Sequence, residues 1–494
     1  MVCNISALLK IKVIELKFLN KYIIEFRGQV LRKLHNFGLS VRRAQNIDVQ
    51  IERLKSIKDP NVRLRFTEKL VNEYPKHPKV HLELVHCLHS VSDSRVFEQM
   101  NKYAVILEDW LVNTRLGELN IEFIWPGMVT GSFGNLYAVE GLLRANKYHL
   151  RPVKKLFLLL PENTKPRNST LFSYFEPYIN IIRDKETIQA MRDLELSLTL
   201  PLGIGLPMNN ICPSLDISAN MCEVERIRLG IEDPLFCLDE RHRDRGREEL
   251  KILGLPDDAW YVTLHVREPG YRGETKENTT ENFRNANPLD YLLACEAVTK
   301  AGGWVFRMGD PSMTPLPKMP QVIDYAHMEM RSEFMDVFLG ATCRFLIGTA
   351  SGFLDLPRYF GVPRIFTNCT RYMDYFNMVE KDLYLPRLLQ YQKNYEYLSF
   401  EEHMSPPIST FMNDKQIFEE GLQWVENTPK ELEEVTIQML ERTNNHVPSK
   451  SDDNLQQRFK ALAEKCGQKY GGHSIKGLSP VSREFLHKHE DLLE

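Results

Sequence analysis

The stretch Ala259-Trp-Tyr-Val-Thr-Leu-His-Val-Arg-Glu268 decides how the chain is read. It is a run of β-branched, aromatic and apolar residues that ends in three polar heads, which is how a strand runs into a functional loop. His265 and Arg267 alternate to one side of the strand and Val266 to the other, so both polar side chains share a face.

Outward from this strand the pattern repeats. Pro288 to Lys300 reads as a helix, Gly303 to Met308 as a strand and Val322 to Ala326 as a short strand-like run. Ser332 to Cys343 is helical, Arg344 to Ile347 is a strand, and Pro363 to Thr367 is another. Strands and helices alternating at this spacing predict a doubly wound α/β sheet, which binds its ligands beyond the carboxyl ends of the strands.

Three of those strand ends are unusual. One is His265-Val-Arg267-Glu268, the second Arg307-Met-Gly309-Asp310, and the third Gly348-Thr349-Ala-Ser351-Gly352, which is expected to open a helix. Glycines at a strand-to-helix turn let backbone N–H groups approach a phosphate, and a helix start favours negative charge there. Thr349 and Ser351 add hydroxyls, and Arg267 and Arg307 add planar forks suited to phosphate oxygens. Together they form an expected diphosphate cradle. No two Asp residues stand at i,i+2, and neither a P-loop nor a GxGxxG pattern occurs, so a metal-held diphosphate, an NTPase and a dinucleotide site all lack sequence support. No cofactor is expected, and no metal.

Upstream, 120–125 is strand-like and leads into a glycine-rich turn, Gly127-Met-Val-Thr-Gly131-Ser-Phe-Gly134-Asn135. Leu136 to Ala145 is helical and Lys155 to Leu160 a strand, giving one βαβ unit. The charged run Asp239 to Glu249 reads as a solvated linker or helix between domains. Residues 1–115 read as helical, a cap or interaction region, with Tyr74 to Pro78 a turn before a helix over Lys79 to Ser90. His86 and His89 there read as structural. The expected domains are 1–115, a helical N-terminal region serving as a cap or for interaction; 116–250, a first α/β domain; 251–440, a second α/β domain; and 441–494, a helical tail.

Composition bounds the partners. The chain has 494 residues, 63 Lys+Arg against 66 Asp+Glu and a formal net charge of -3, which argues against nucleic-acid binding by bulk charge. Nine scattered cysteines without a CxxC pair read as reduced thiols rather than a zinc site or a disulfide framework. No apolar run approaches the ~20 residues of a membrane span. Ser6 to Phe26 reads either as a terminal helix packed on its own protein or as a basic amphipathic helix at a membrane surface. The expected location is cytoplasmic, with peripheral contact at the inner face of the membrane through that N-terminal helix.

The strand ending in HxR, the Arg-x-Gly strand end and the glycine/serine turn resemble the donor-binding domain of GT-B glycosyltransferases. The HxR element is similar to that of NodZ and protein O-fucosyltransferase-type fucosyltransferases. Leu264-His-Val-Arg-Glu-Pro-Gly-Tyr271, Phe283-Arg-Asn-Ala286, Gly303 to Met313, Ile323-Asp-Tyr-Ala326, Phe345 to Gly352 and Trp424-Val-Glu-Asn427 resemble a bacterial family of GT-B-type glycosyltransferases found with surface-glycan genes. The resemblance spans roughly 120–494.

It implies two Rossmann-like domains facing a cleft, 116–250 on the acceptor side and 251–440 on the nucleotide-sugar side, and transfer of a sugar from a nucleotide-diphosphate sugar to a glycan, lipid-linked or protein hydroxyl. Arg267 is then the diphosphate contact, with His265, Arg307, Gly309, Asp310, Gly348, Thr349, Ser351 and Gly352 around the donor. Arg284 and Asn285 line the cleft from the following loop, and Gly131, Gly134, Asn135 and Glu140 face it from the first domain. Glu268, Glu140 and His265 are the candidates for a general base, Glu268 being equally readable as an ion-pair partner. Glu-Pro-Gly after HxR departs from the fucosyltransferases and argues against GDP-fucose. The rival readings are a GT-B-fold sugar-nucleotide epimerase and a non-catalytic sugar-nucleotide-binding scaffold whose helical region recruits a partner.

Overall fold

The computed structural model describes most of residues 47–106, 121–188 and 230–494, leaving out 125–128, 131–132, 150–154, 271–281, 371–377, 445–449, 469–478 and scattered single positions. Gly131 and the Ser6 to Phe26 segment lie outside the described residues.

Between residues 47 and 106 the described secondary structure is helical. Helix α1, Pro60–Glu73, starts on Asp59, whose carboxylate accepts the N–H groups of Asn61 and Val62, with Pro60 at the first turn where a missing N–H costs nothing. After a turn at 74–77, α2, Pro78–Ser90, packs back on α1 and buries Glu83, which pairs with Arg63. The pairing explains how a carboxylate is accommodated between two helices.

A three-stranded parallel sheet follows, in the order β1 (Ile121–Ile124), β2 (Lys155–Leu159), β3 (Ile179–Ile182). The crossover from β1 to β2 is a 3₁₀ turn, Phe133–Leu136, and helix α3, Tyr137–Lys147. Helix α4, Ser169–Phe175, links β2 to β3 and is capped by Asn168. The run Asp239 to Glu249 is a helix, α5, Glu240–Ile252, on the surface but for Gly246. A Cβ at that position would meet the Phe338 ring at 2.1 Å, so the glycine sets how closely α5 approaches its neighbour.

The second sheet has six parallel strands: β4 (Tyr261–His265), β5 (Trp304–Arg307), β6 (Val322–Ile323), β7 (Leu346–Gly348), β8 (Arg364–Cys369) and β9 (Leu383–Pro386). Their spatial order is β6-β5-β4-β7-β8-β9. The chain thus winds outward from β4 in one direction, returns, and winds outward from β7 in the other. The topological switch point lies between β4 and β7, where a crevice opens at the carboxyl ends. Helix α6, Leu292–Lys300, joins β4 to β5, and α7, Glu333–Thr342, capped by Ser332, joins β6 to β7.

Two differences from the sequence reading stand out. The glycine/serine turn after β7 opens a 3₁₀ turn, Gly352–Asp355, and then a single α-turn, α8, Leu356–Tyr359, rather than a long helix. It stops at Phe360, before Gly361 at φ +77°, so only local N–H groups, not an extended macrodipole, are available there. The sheet also continues past Thr367 through β9, and Leu422–Val425 is a strand, β11, paired antiparallel with β10, Leu388–Tyr391.

Short helices α9 (Phe400–Met404) and α10 (Asp414–Glu419) flank that pair. Helix α11, Pro429–Thr443, carries a Thr428/Glu431 capping box and packs on α6, and α12, Lys450–Gln468, and α13, Arg483–Lys488, complete the chain. One buried apolar cluster runs from Ile124 on the first sheet to Leu492 near the C-terminus, so both sheets share a core. Among the described residues no helix is long and apolar enough to cross a membrane.

Candidate functional site

The switch point gathers the residues singled out in the sequence. His265 at the end of β4 is in register with Gly348 at the end of β7, and Thr349 N–H donates to the His265 carbonyl at 3.1 Å. The Thr349 hydroxyl, fully buried, accepts the Arg267 N–H at 2.8 Å. This hydroxyl therefore ties two strand ends together. Gly348 permits the approach, since a Cβ there would lie 3.1 Å from the His265 carbonyl oxygen.

His265 stacks on Phe353, ring centroids 5.3 Å apart, and its Nδ1 meets the Ser351 hydroxyl at 3.0 Å. Burial, and then the Arg307 charge, lower its pKa to about 4. The imidazole is neutral near pH 7, which makes it a hydrogen-bonding partner for Ser351 and a weak base.

Arg267 is half-buried at the mouth of the crevice. Its guanidinium reaches the Asn285 side-chain oxygen, and its carbonyl accepts the Ala286 N–H at 3.0 Å. Asn285 belongs to a turn, opened by the 3₁₀ segment Asn282–Arg284, that folds back over the strand ends. From this turn Arg284 Nε donates to the Ala350 carbonyl at 3.0 Å. Arg267, Arg284, Asn285 and the Gly348–Gly352 turn therefore surround one end of the sheet, and Ser351 and Gly352 are half-buried there.

The other strand-end residues are arranged differently from the expectation. Arg307 is fully buried and does not present an open fork: its guanidinium meets Glu268 at 2.7 Å, Asp324 at 3.3 Å and the Thr314 carbonyl at 3.1 Å. Glu268 is committed in turn, its second oxygen accepting the Thr314 N–H at 3.1 Å. The ion-pair reading of Glu268 is the one this geometry matches. The two groups can be buried together because each neutralises the other in a site closed to water. Gly309, at φ +150°, lets the chain turn after β5, and Asp310 accepts the Ser312 N–H at 2.9 Å in a local turn.

Glu140 is buried on α3, between Arg144 at 2.9 Å and Arg358 at 2.5 Å. Held by two guanidiniums, it is an ion-pair centre between the first sheet's helix and α8, not a carboxylate open to an acceptor. The 3₁₀ turn that holds the Gly134 and Asn135 backbone does face the switch-point turn. The Phe133 carbonyl accepts from the Tyr359 hydroxyl at 2.9 Å, and the Phe133 and Phe353 rings lie 6.1 Å apart.

Sequence reasoning passed over a buried polar layer beneath the site. Arg387, Asn368, Tyr291, Thr367 and Asn427 carry it. Tyr291 bonds Thr367 at 2.7 Å, and the Thr367 hydroxyl donates to the Gly348 carbonyl at 3.0 Å. Asn368, at φ +48°, exchanges bonds with Asn427: N–H to side-chain oxygen at 2.6 Å and the reverse at 2.9 Å. The one available signal was an arginine inside the apolar run Leu383 to Leu389, which must be paired if buried. Among the described residues no group of three His, Cys, Asp or Glu is placed to hold a metal ion.

The fold and the site together define a mixed α/β protein with a parallel, doubly wound sheet whose crevice carries arginines at the strand ends. No family profile matches the chain, and no curated protein matches it either. Among solved structures it is similar to the ADP-heptose LPS heptosyltransferase II of E. coli, with TM-score 0.32 and 9% identity over 49% of this chain and 83% of that one. It is also similar to a glycosyl transferase family 9 protein of Veillonella parvula, with TM-score 0.32 and 11% identity over 49% and 79%. A third is the E. coli heptosyltransferase WaaC with ADP, with TM-score 0.22 and 13% identity over 53% and 90%. These scores are too low to carry a functional inference, which must rest on the residues of this chain.

Proposed function

We propose that the chain is a GT-B-type glycosyltransferase that moves a sugar from a nucleotide-diphosphate sugar to a hydroxyl acceptor in glycan or surface-polysaccharide biosynthesis, without a metal ion. The observation that carries the reading is the placement of Arg267 at the β4/β7 switch point, half-exposed and bracketed by Arg284 and the Gly348–Gly352 turn. The HxR resemblance supports the same assignment.

In this reading the diphosphate lies against the strand ends. Negative charge grows on it as the glycosidic bond to the leaving nucleotide breaks, and preorganised donors that meet growing charge lower the barrier. Arg267 supplies that donor, with the backbone N–H groups of 350–352 beside it. His265, uncharged at neutral pH, holds Ser351 and so the shape of the turn. The acceptor approaches from the side of the 133–136 turn. Arg307 and Glu268 set the β5 strand end from within.

The test is a binding and turnover screen with GDP-, UDP-, ADP-, CMP- and dTDP-sugars, wild type beside Arg267→Ala. Loss of a charged hydrogen bond weakens nucleotide binding by about 1.5–3 kcal/mol, roughly ten- to 150-fold in Kd. Nucleotide release that requires an acceptor marks a transferase, and release or interconversion without one marks an epimerase. A wild type that binds none of the panel, or a mutant that binds and turns over as the wild type does, refutes the proposal.

A further inference from the structure

Arg387 lies between β9 and β10 and is 2% exposed. Its guanidinium donates to the carbonyls of Phe283 at 2.7 Å and Asn285 at 2.9 Å, and to the Asn368 side-chain oxygen at 3.3 Å. It also pairs with Glu426. Its own backbone is fixed, its N–H donating to the Cys369 carbonyl at 2.8 Å. Asn368 is held in turn by the reciprocal bonds with Asn427, whose amide also donates to the Pro386 carbonyl at 2.8 Å. The same turn is gripped from its other edge, because the Asp414 carboxylate accepts the Phe283 N–H.

The turn so fixed carries Asn285, whose side-chain oxygen receives the Arg267 guanidinium. A continuous chain of hydrogen bonds therefore runs from a buried arginine to the half-exposed one: Arg387 to the Asn285 carbonyl, and the Asn285 side chain to Arg267. A flexible arginine at a cleft mouth samples many rotamers, and an anion that orders it bears that entropy. A partner held on a rigid turn removes much of the cost before the ligand arrives.

We propose that Arg387 is a positioning residue for diphosphate binding: through the 282–285 turn and Asn285 it fixes Arg267 in the orientation that receives the anion. The inference rests on the diphosphate reading of the switch point and adds a buried determinant of its affinity. Arg387 itself touches no ligand. Its fork is required because two carbonyls must be met at once, which a lysine ammonium does only as a point charge.

The experiment titrates inorganic pyrophosphate into the wild type, Arg387→Lys, Asn285→Ala and the double variant, each well below its melting temperature. Pyrophosphate reports on the anion site without contributions from base or sugar. Each single variant is expected to bind at least tenfold more weakly, and the double variant no more weakly than the weaker single, because both break one chain. An Arg387 that serves only stability lowers the melting temperature and leaves the pyrophosphate Kd unchanged, which overturns the inference. So does full additivity of the two effects. If Arg387→Lys does not fold, Asp414→Ala removes the acceptor of the Phe283 N–H, loosens the same turn and is read by the same two outcomes. A wild type that binds neither pyrophosphate nor any nucleotide overturns the diphosphate reading itself. A wild type that binds beside an unaffected Arg387→Lys overturns this inference alone.

Discussion

His403 sits on α9 with its ring 5.8 Å from Trp424, and burial lowers its pKa to about 3 against an unperturbed 6.5. A bond to the Thr370 backbone opposes the shift without cancelling it. Between pH 6.5 and 3 the unfolded chain therefore binds a proton that the folded one refuses, so stability falls as the pH falls through that window. His265 adds to the loss with the same sign between 6.5 and about 4, whereas Glu431, lowered to about 2, contributes only below its unperturbed 4.5. His403→Gln removes one of these contributions. Its stability loss between pH 6.5 and 5 is expected to be smaller than the wild type's by about 2 kcal/mol, read from denaturant melts at the two pH values. Parallel losses in both proteins would show that His403 is not the titrating group. At this scale the sequence was only partly informative. HxR and the glycine/serine turn marked the ends of β4 and β7, which the fold brings side by side, because polar residues that close an apolar run stand where a strand leaves the core. Whether Arg307 faces an anion or a carboxylate could not be read, since its partner Glu268 is 39 residues away and only the β4–β5 pairing brings them together.

Edges matter most among the elements. Strand β9 is the last of its sheet and has a side with no further named strand against it. The chain's end covers it: Tyr384 N–H donates to the Pro480 carbonyl at 3.0 Å, and Ser482 N–H to the Tyr384 carbonyl at 2.8 Å. Helix α13 is then fastened by Lys488 to Glu431 at 2.6 Å on α11. Covering an apolar edge strand protects it from pairing with another chain. Truncation before Ser479 is therefore expected to cause concentration-dependent association, measured by light scattering at constant temperature. A truncated chain that stays monodisperse would show that β9 needs no cover. Elements with a strong local signal, β4, β5, β7 and α7, were legible from apolar runs and from caps such as Ser332. Strands β3 and β9 and the β10–β11 pair were not singled out. The pairing of β10 with β11 depends on residues about 35 positions apart, and such contacts leave little trace in local periodicity.

For the molecule as a whole, the question is what holds the first sheet against the second. The apolar core is continuous between them, with Phe175 edge-on to Tyr359 at 5.4 Å and to Phe236 at 4.8 Å. Within that apolar seam sits one carboxylate, Glu140, 1% exposed, between Arg144 of its own helix and Arg358 of α8. Arg144 also donates to the Asp233 carbonyl at 2.8 Å, which draws the 230–238 segment into the same seam. Two buried cations around one anion are tolerable only while the anion is present. Glu140→Ala is thus expected to cost about 3–5 kcal/mol, the typical penalty for removing one partner of a buried pair. Glu140→Ala combined with Arg358→Leu should recover part of the loss, because it removes one of the two stranded charges. Denaturant melts of the two single variants and the double one check this, and a double variant as unstable as the sum of the singles would place the stabilisation in the aromatic seam instead. The placement has a functional corollary. Arg358 and Tyr359 follow shortly after the Gly348–Gly352 turn, and Tyr359 bonds the Phe133 carbonyl, so the clasp fixes the distance between the β4/β7 strand ends and the turn opposite them. If the crevice binds a diphosphate as proposed, loosening the clasp should weaken pyrophosphate binding less than Arg267→Ala does, since the anion's own contacts all belong to the second sheet.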